Sequence, residues 1–169
     1  MTNTQRYVHY FDLLWKKILF ETCNAGDASL IDDFIFKKEE NFPIETIVEI
    51  GGMAYRKGNS YFELRAKVLH SRIQELSSNQ KMSIPERKEK YFSIIWKELI
   101  STSTSSLHDF LFKRPSYPFP MSELERISNI AFSEKQANNE KEKLLAILLR
   151  QRTLELVMGT REYMKQHKS

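Results

Sequence analysis

A segment near the start of this chain returns about eighty residues later, and this repeat restricts the fold more than any other feature. The residues from Tyr10 to Leu19 match those from Tyr91 to Ile100, with leucine and isoleucine exchanged. Both tryptophans of the chain, Trp15 and Trp96, occupy equivalent positions. A period of this length is typical of a duplicated supersecondary unit. We therefore interpret the chain as two tandem copies of one unit.

The match continues downstream of the tryptophans. The segment 33–38 corresponds to 109–114, and Pro43 corresponds to Pro120. The spacing between equivalent residues drifts from 76 to 81, which places small insertions in connections, where loops tolerate them. The last matching set is Ala66, Leu69, Arg72, Glu75 and Leu76 against Ala146, Leu149, Arg152, Glu155 and Leu156.

Apolar residues in both copies recur at three- and four-residue spacing, the period of an α-helix. Glycine and proline number five each, which suits long helices with few turns. The predicted fold is all-α: a helical bundle of two tandem four-helix units related by duplication. The units are residues 1–78 and 85–169, joined by a linker at 79–84 and packed as one compact body.

Turn and capping residues predict where the helices of the first unit begin and end. We expect the first helix to end near Gly26 and the second to start with Ser29 and Asp32 as a capping box. Pro43 fits the first turn of the third helix, where its missing N–H has no helical partner. The fourth helix is predicted over residues 60–76.

The sequence predicts neither a metal site nor a cofactor. Cys23 is the only cysteine, and its expected role is that of a small apolar filler. The four histidines share no metal-ligand spacing with each other or with Cys23. The first residues lack a basic stretch followed by an apolar run, and the longest strongly apolar run covers only residues 144–149. We therefore expect a cytoplasmic protein.

Charge is distributed unevenly along the chain. Net charge is −4 over residues 1–50, +5 over 51–100 and +3 over 101–169. Basic residues spaced along helices hold a phosphate backbone without reading bases, although solvated helix faces are the alternative interpretation. The candidate nucleic-acid contacts are Arg56, Lys57, Arg65, Lys67, Arg72, Arg87, Lys88, Lys143, Arg150 and Arg152.

A loop in the second unit has the composition of a protein-docking site. Three prolines alternate with aromatic residues there, which gives a stiff and extended segment. The residues predicted to contact a neighbouring protein are Lys113, Arg114, Tyr117 and Phe119. The repeated aromatic residues of the first helices are instead predicted to be core.

One pattern favours an enzyme. Arg65 and His70 form an Arg-x4-His motif on a predicted helix, which is similar to that of the helical ribonucleases called HEPN domains. The resemblance implies cleavage of RNA by this Arg and His. The position equivalent to His70 in the second copy is Arg150, so the motif is not repeated.

The second copy has an aromatic helix at 91–100 and then a helix that contains Asp109 and Phe110. A proline-aromatic loop follows at 115–120, and a basic, leucine-rich helix at 144–152. This order resembles the helical C-terminal part of CRISPR large subunits, and the chain is similar in size to the small subunits of those complexes. The resemblance implies a non-catalytic subunit, active in antiviral defence, that contacts nucleic acid through its backbone.

We therefore expect a non-enzymatic complex subunit that binds nucleic acid, DNA or RNA, and neighbouring proteins, without a membrane. The alternatives are the HEPN-like ribonuclease and a protein-only binder, such as an immunity or inhibitor protein. The binder would present the acidic residues between 32 and 49 to a basic partner.

Overall fold

The computed structural model describes residues 1–37, 44–54, 58–78, 81–100, 105–112, 120, 122 and 140–168. Over these residues the chain is all-α and contains no strand, which confirms the predicted fold class. The helices of this part, seven in number, are α1 (Asn3–Thr22), α2 (Ala25–Phe36), α3 (Ile44–Ala54), α4 (Ser60–Ser77), α5 (Ile84–Ile100), α6 (Ser105–Phe112) and α7 (Glu140–Gln166).

Side-chain caps fix the starts of α1, α2 and α4. Thr2 forms a capping box with Gln5, with hydrogen bonds of 3.2 and 2.9 Å between side chains and main-chain N–H groups. Asn24 caps α2 by accepting from the main-chain N–H of Asp27 at 2.8 Å, and Asn59 caps α4. The predicted capping box at residues 29 and 32 is wrong, because α2 has already begun at residue 25.

The chain divides into two compact units, Met1–Glu98 and Leu99–Ser169. In the first unit α4 packs against α1 and α3. The fully buried side chains include Tyr10, Leu14 and Ile18 of α1, at 0% exposure. Each large apolar side chain removed from water contributes roughly 1.5–3 kcal/mol before entropy is counted, so this stripe holds α1 in place. In the second unit α6 packs against α7.

The boundary between the compact units differs from the predicted linker at 79–84. It lies inside α5, because most of that helix packs on the first unit. The ring of Phe92 lies 5.5 Å from that of Tyr7, and the ring of Tyr91 lies 5.9 Å from that of Phe11. The first aromatic helix of the second repeat copy therefore belongs to the core of the first unit.

Two contacts recur at equivalent positions of the predicted repeat. Phe11 stacks on Trp15 with a centroid distance of 5.7 Å and an interplanar angle of 17°, and Phe92 stacks on Trp96 at 5.9 Å and 14°. In both copies an arginine also bonds the main-chain oxygen of an equivalent phenylalanine, at 2.8 and 3.0 Å. The matched geometry supports the duplication, which stays a prediction.

Candidate functional site

Two of the predicted nucleic-acid contacts, Arg72 and Arg87, lie inside the first unit around Glu75. The Glu75 side chain is 0% exposed, and its Oε2 accepts from Arg72 at 3.2 Å and from Arg87 at 2.9 Å. Other donors of the two guanidinium groups reach three main-chain oxygens at the C-terminal end of α2, at 2.8, 2.9 and 3.0 Å. These carbonyls have no partner within the helix and carry partial negative charge, so the arginines cap α2.

The electrostatics of this cluster follow from its burial. Burial, followed by the like charge of Arg87, lowers the pKa of Arg72. Burial, followed by the negative charge of Glu75, raises the pKa of Tyr91. Glu75 is the carboxylate that both buried guanidinium groups share, so the cluster depends on its ionised form.

Arg65 and Arg152 are buried as well. Arg65 is 2% exposed and donates to the main-chain oxygens of Thr22 and Met53, at 3.0 and 3.2 Å. Arg152 is 1% exposed and pairs with Glu155 at 3.0 Å. A guanidinium that is withdrawn from solvent and bonded to protein oxygens has no surface to offer a phosphate.

The assignment of Arg65, Arg72, Arg87 and Arg152 as nucleic-acid contacts is therefore corrected: they join helices within each unit. The Arg of the HEPN-like motif is the buried Arg65, which counts against that alternative without testing it.

The other predicted contacts fall into three groups. Lys67 forms an ion pair with Glu98, and the partly exposed Lys88 pairs with an aspartate. Lys143 and Arg150 are partly exposed on α7. Outside the described residues lie the remaining candidates, which are Arg56 and Lys57 of the nucleic-acid set and Lys113, Arg114, Tyr117 and Phe119 of the docking set.

The first unit contains a surface groove of about 720 Å³, named here the α1–α2 groove. Trp15, Leu19, Ala28 and Phe36 supply apolar wall, and the groove lies between α1 and α2, with one side chain from α5. The described residues that line it are Asp12, Trp15, Lys16, Leu19, Phe20, Cys23, Asn24, Ala25, Ala28, Asp32, Phe36 and Lys88. The volume is within the range of pockets that take drug-sized molecules or side-chain anchors.

One exposed aromatic residue marks the rim of this groove. Phe20 is 78% exposed, the highest value among the exposed large apolar side chains of the described residues. Lys17 Nζ lies 6.0 Å from the centroid of the Phe20 ring. Phe20 falls outside the buried stripe of α1, so packing within the unit does not explain it. An exposed aromatic next to an apolar groove is typical of a binding surface.

Within the described part of the chain, the groove has one ion pair, between Lys88 and Asp12, and Asp32 is held by a hydrogen bond rather than an ion pair. Lys88 Nζ lies 2.8 Å from Asp12 Oδ1 and 5.1 Å from the centroid of the Phe36 ring. Asp32 Oδ1 accepts from Trp15 Nε1 at 3.1 Å. Partial burial at the groove wall raises the pKa of Asp32, while the Trp15 hydrogen bond acts in the opposite direction. A cation brought into the groove by a partner would stabilise this carboxylate.

Sequence reasoning missed the groove as a site. It placed Phe20 in no class and assigned Trp15 to the core, where its 3% exposure confirms it. A helical projection of α1 places Phe20 on a face that has no other Phe, Tyr or Trp. Among the described residues, the acidic side chains between 32 and 49 that were predicted for a basic partner share one member with the groove lining, Asp32.

Comparison of the chain with protein-family models, with curated proteins and with solved structures finds no match in any of the three. Among the described residues, no group of three or more His, Cys, Asp and Glu side chains is arranged to hold a metal ion. None of the helices described here combines the length and apolar character needed to cross a membrane.

Proposed function

We propose that this chain is a non-catalytic helical subunit that binds a neighbouring protein through the α1–α2 groove. The observation that carries the proposal is the position of Phe20, which is 78% exposed at the rim of an apolar groove. Leaving an aromatic side chain in water has no stabilising effect on the isolated unit, whereas covering it upon binding removes a large apolar area from solvent.

The shape and chemistry of the groove favour a helix as the bound element. Its walls run along two helices, and its apolar lining is bordered by the charged side chains of Asp12, Lys16 and Asp32. Amphipathic helices bind such grooves by placing apolar anchors inside and charged groups at the edges. A subunit of this kind fits the expected role in a larger assembly.

Binding of nucleic-acid backbone is the second candidate function. It is supported by Lys143 and Arg150, which are partly exposed and seven residues apart on α7, hence on one face of the helix. The similarity to CRISPR subunits belongs to this candidate. Burial of four of the ten predicted contacts makes it the weaker of the two.

Affinity purification with tagged wild-type protein and a Phe20→Asp variant tests the main proposal. The wild type is expected to retain a partner that the variant loses, and the purified partner should then bind the purified wild type in calorimetry. Val48→Asp is a matched control, because Val48 is 68% exposed on α3 and does not line the groove. Equal retention by wild type and Phe20→Asp would overturn the groove as the binding surface.

Fluorescence anisotropy of labelled single-stranded DNA, duplex DNA and RNA tests the second candidate. Binding whose logarithmic affinity falls with the logarithm of salt concentration, and weakens in Lys143→Glu, would favour it. Lys97→Glu serves as the control, since Lys97 is an exposed lysine on a different helix, α5, and is not one of the predicted contacts.

A further inference from the structure

The last ten residues of α7 extend beyond the buried part of that helix. The final buried residue of α7 is Leu156, whereas the helix continues to Gln166. At 1.5 Å per residue this extension is about 15 Å long. It contains Gly159, which lowers helix propensity.

Apolar and basic side chains form a stripe that begins at Leu154 and runs along this extension. Leu154, Met158, Arg161 and Lys165 are spaced by three or four residues and therefore lie on one face. Leu154 is 51% exposed and Met158 is 68% exposed, and Met164 at the edge of the face is 58% exposed. This face presents flexible apolar anchors together with two cations, which are both exposed.

We propose that the α1–α2 groove of one molecule binds the C-terminal half of α7 of a second copy of this chain. The lengths agree, because the α1 wall of the groove runs from Asp12 to Cys23, about 16 Å along the helix. The apolar chemistry agrees as well, since Leu154 and Met158 would cover Phe20.

The charges of the two surfaces are complementary. Asp32 is the groove carboxylate without an ion pair among the described residues, and Arg161 lies in the middle of the α7 stripe. Lys16 of the groove and Glu162 beside the stripe, both exposed, provide the reverse pair. The Asp12–Lys88 pair is already neutral. Approach of α7 would therefore bring opposite charges together at two points.

Pairing of two α7 helices with each other is disfavoured by the same residues. Arg161 and Lys165 lie on the stripe itself, so two such faces would oppose like charges across the contact. Association of the groove with α7 is instead heterologous: each molecule uses one surface and leaves the other available. Contacts of this type give rings or open chains rather than closed two-fold dimers.

This inference rests on the proposed function, since it names the occupant of the same groove. Sedimentation velocity over a wide range of protein concentration tests it directly. The wild type is expected to form dimers and larger species as concentration rises. Phe20→Asp and Met158→Asp should each remain monomeric, whereas Val48→Asp should assemble like the wild type.

A mixing experiment separates this arrangement from other modes of association. Phe20→Asp keeps an intact α7 stripe and Met158→Asp keeps an intact groove, so an equimolar mixture is expected to form a dimer that grows no further. Failure of the mixture to associate would overturn the inference. The changed residues are exposed, and circular dichroism checks that both variants keep their helices.

Charge exchange tests the predicted contact of Arg161 with Asp32. Arg161→Glu is expected to weaken self-association by about tenfold, and mixing it with Asp32→Lys should restore association. A wild type that stays monomeric at every concentration would overturn self-assembly while leaving the proposed function intact, provided that a different protein still binds the groove and is lost in Phe20→Asp. Loss of both results would overturn the two together.

Discussion

Arg72 of α4 and Phe34 of α2 are joined by a hydrogen bond of 2.8 Å from the guanidinium Nε to the main-chain oxygen. Phe34 lies in the last turn of α2, where carbonyl groups lack helical partners. The equivalent bond in the second unit runs from Arg152 to Phe110 at 3.0 Å. In both units a buried arginine therefore fixes the end of one helix to the middle of another. Arg72 and Arg152, which the sequence suggested as nucleic-acid contacts, thus have a structural role.

Removal of the charge on Glu75 is expected to destabilise the first unit strongly. In Glu75→Gln the buried guanidinium groups of Arg72 and Arg87 lose their shared counterion, and breaking a buried ionic cluster costs about 3–5 kcal/mol. Urea denaturation followed by circular dichroism measures the loss. Glu63→Gln, an exposed change in the same helix, should stay within about 0.5 kcal/mol of the wild type. Equal stability of the two variants would contradict the structural role of Glu75.

Replacement of Arg72 or Arg152 by lysine is expected to destabilise the protein by similar amounts. Lysine keeps the positive charge but cannot donate from a planar fork to a carbonyl and a carboxylate at once, so we expect a loss of about 1.5–3 kcal/mol in each variant. Arg161→Lys, at an exposed position, provides the control. Thermal unfolding measures all three, and a loss confined to Arg72→Lys would argue against equivalence of the two units.

Helical periodicity predicted the class of the fold and the range of α4 because a 3.6-residue stripe is a local property of sequence. The same periodicity also contained a signal that charge counting overlooked. Arg72 lies between Leu69 and Ile73 on the stripe that packs inward, and its glutamate follows three residues later, as in the second copy. An arginine is usually expected at the protein surface, because it is rarely buried without hydrogen-bond partners. In this protein main-chain oxygens are those partners.

The groove could not be predicted in the same way, since its walls come from residues distant in sequence. Lys88 reaches Asp12 only because α5 packs on α1 of the first unit. The repeat predicts that this helix belongs to the second unit, so the sequence alone gives no reason to place the two side chains together. The exposure of Phe20 likewise depends on which face of α1 the neighbouring helices leave uncovered.

Replacement of Lys88 by methionine is expected to have a small effect on stability. Its ion pair with Asp12 has side chains that are 20% and 50% exposed, and such pairs contribute at most about 1 kcal/mol. Methionine keeps an apolar side chain of similar length beside the Phe36 ring but removes the charge and the cation–π contact. Urea denaturation at low and high salt measures the change, and the difference from wild type should shrink at high salt. A loss as large as that of Glu75→Gln would contradict this distinction between groove and core.

The indole N–H of Trp15 is expected to report the protonation of Asp32. The pKa of Asp32 is raised because the carboxyl is partly withdrawn from water, so the folded state holds its proton more tightly than the unfolded state. Between the two pKa values the folded protein binds the extra proton, so stability should fall as pH rises through this window. The Asp32→Asn variant has no carboxyl to titrate at this position, so its stability should not show this decrease with pH.

Proton NMR during an acid titration measures the effect at the 3.1 Å contact between Trp15 Nε1 and Asp32 Oδ1. The Trp15 indole resonance should shift with a midpoint above the usual aspartate value, and the shift should vanish in Asp32→Asn. Trp96→Phe assigns the resonance, because the chain has only two tryptophans. A bound cation at Asp32 would lower the midpoint, since positive charge favours the ionised carboxyl. If the midpoint lies at the usual aspartate value, Asp32 is as well solvated as a surface carboxyl. The argument that Asp32 attracts a partner's cation would then lose the support of a raised pKa.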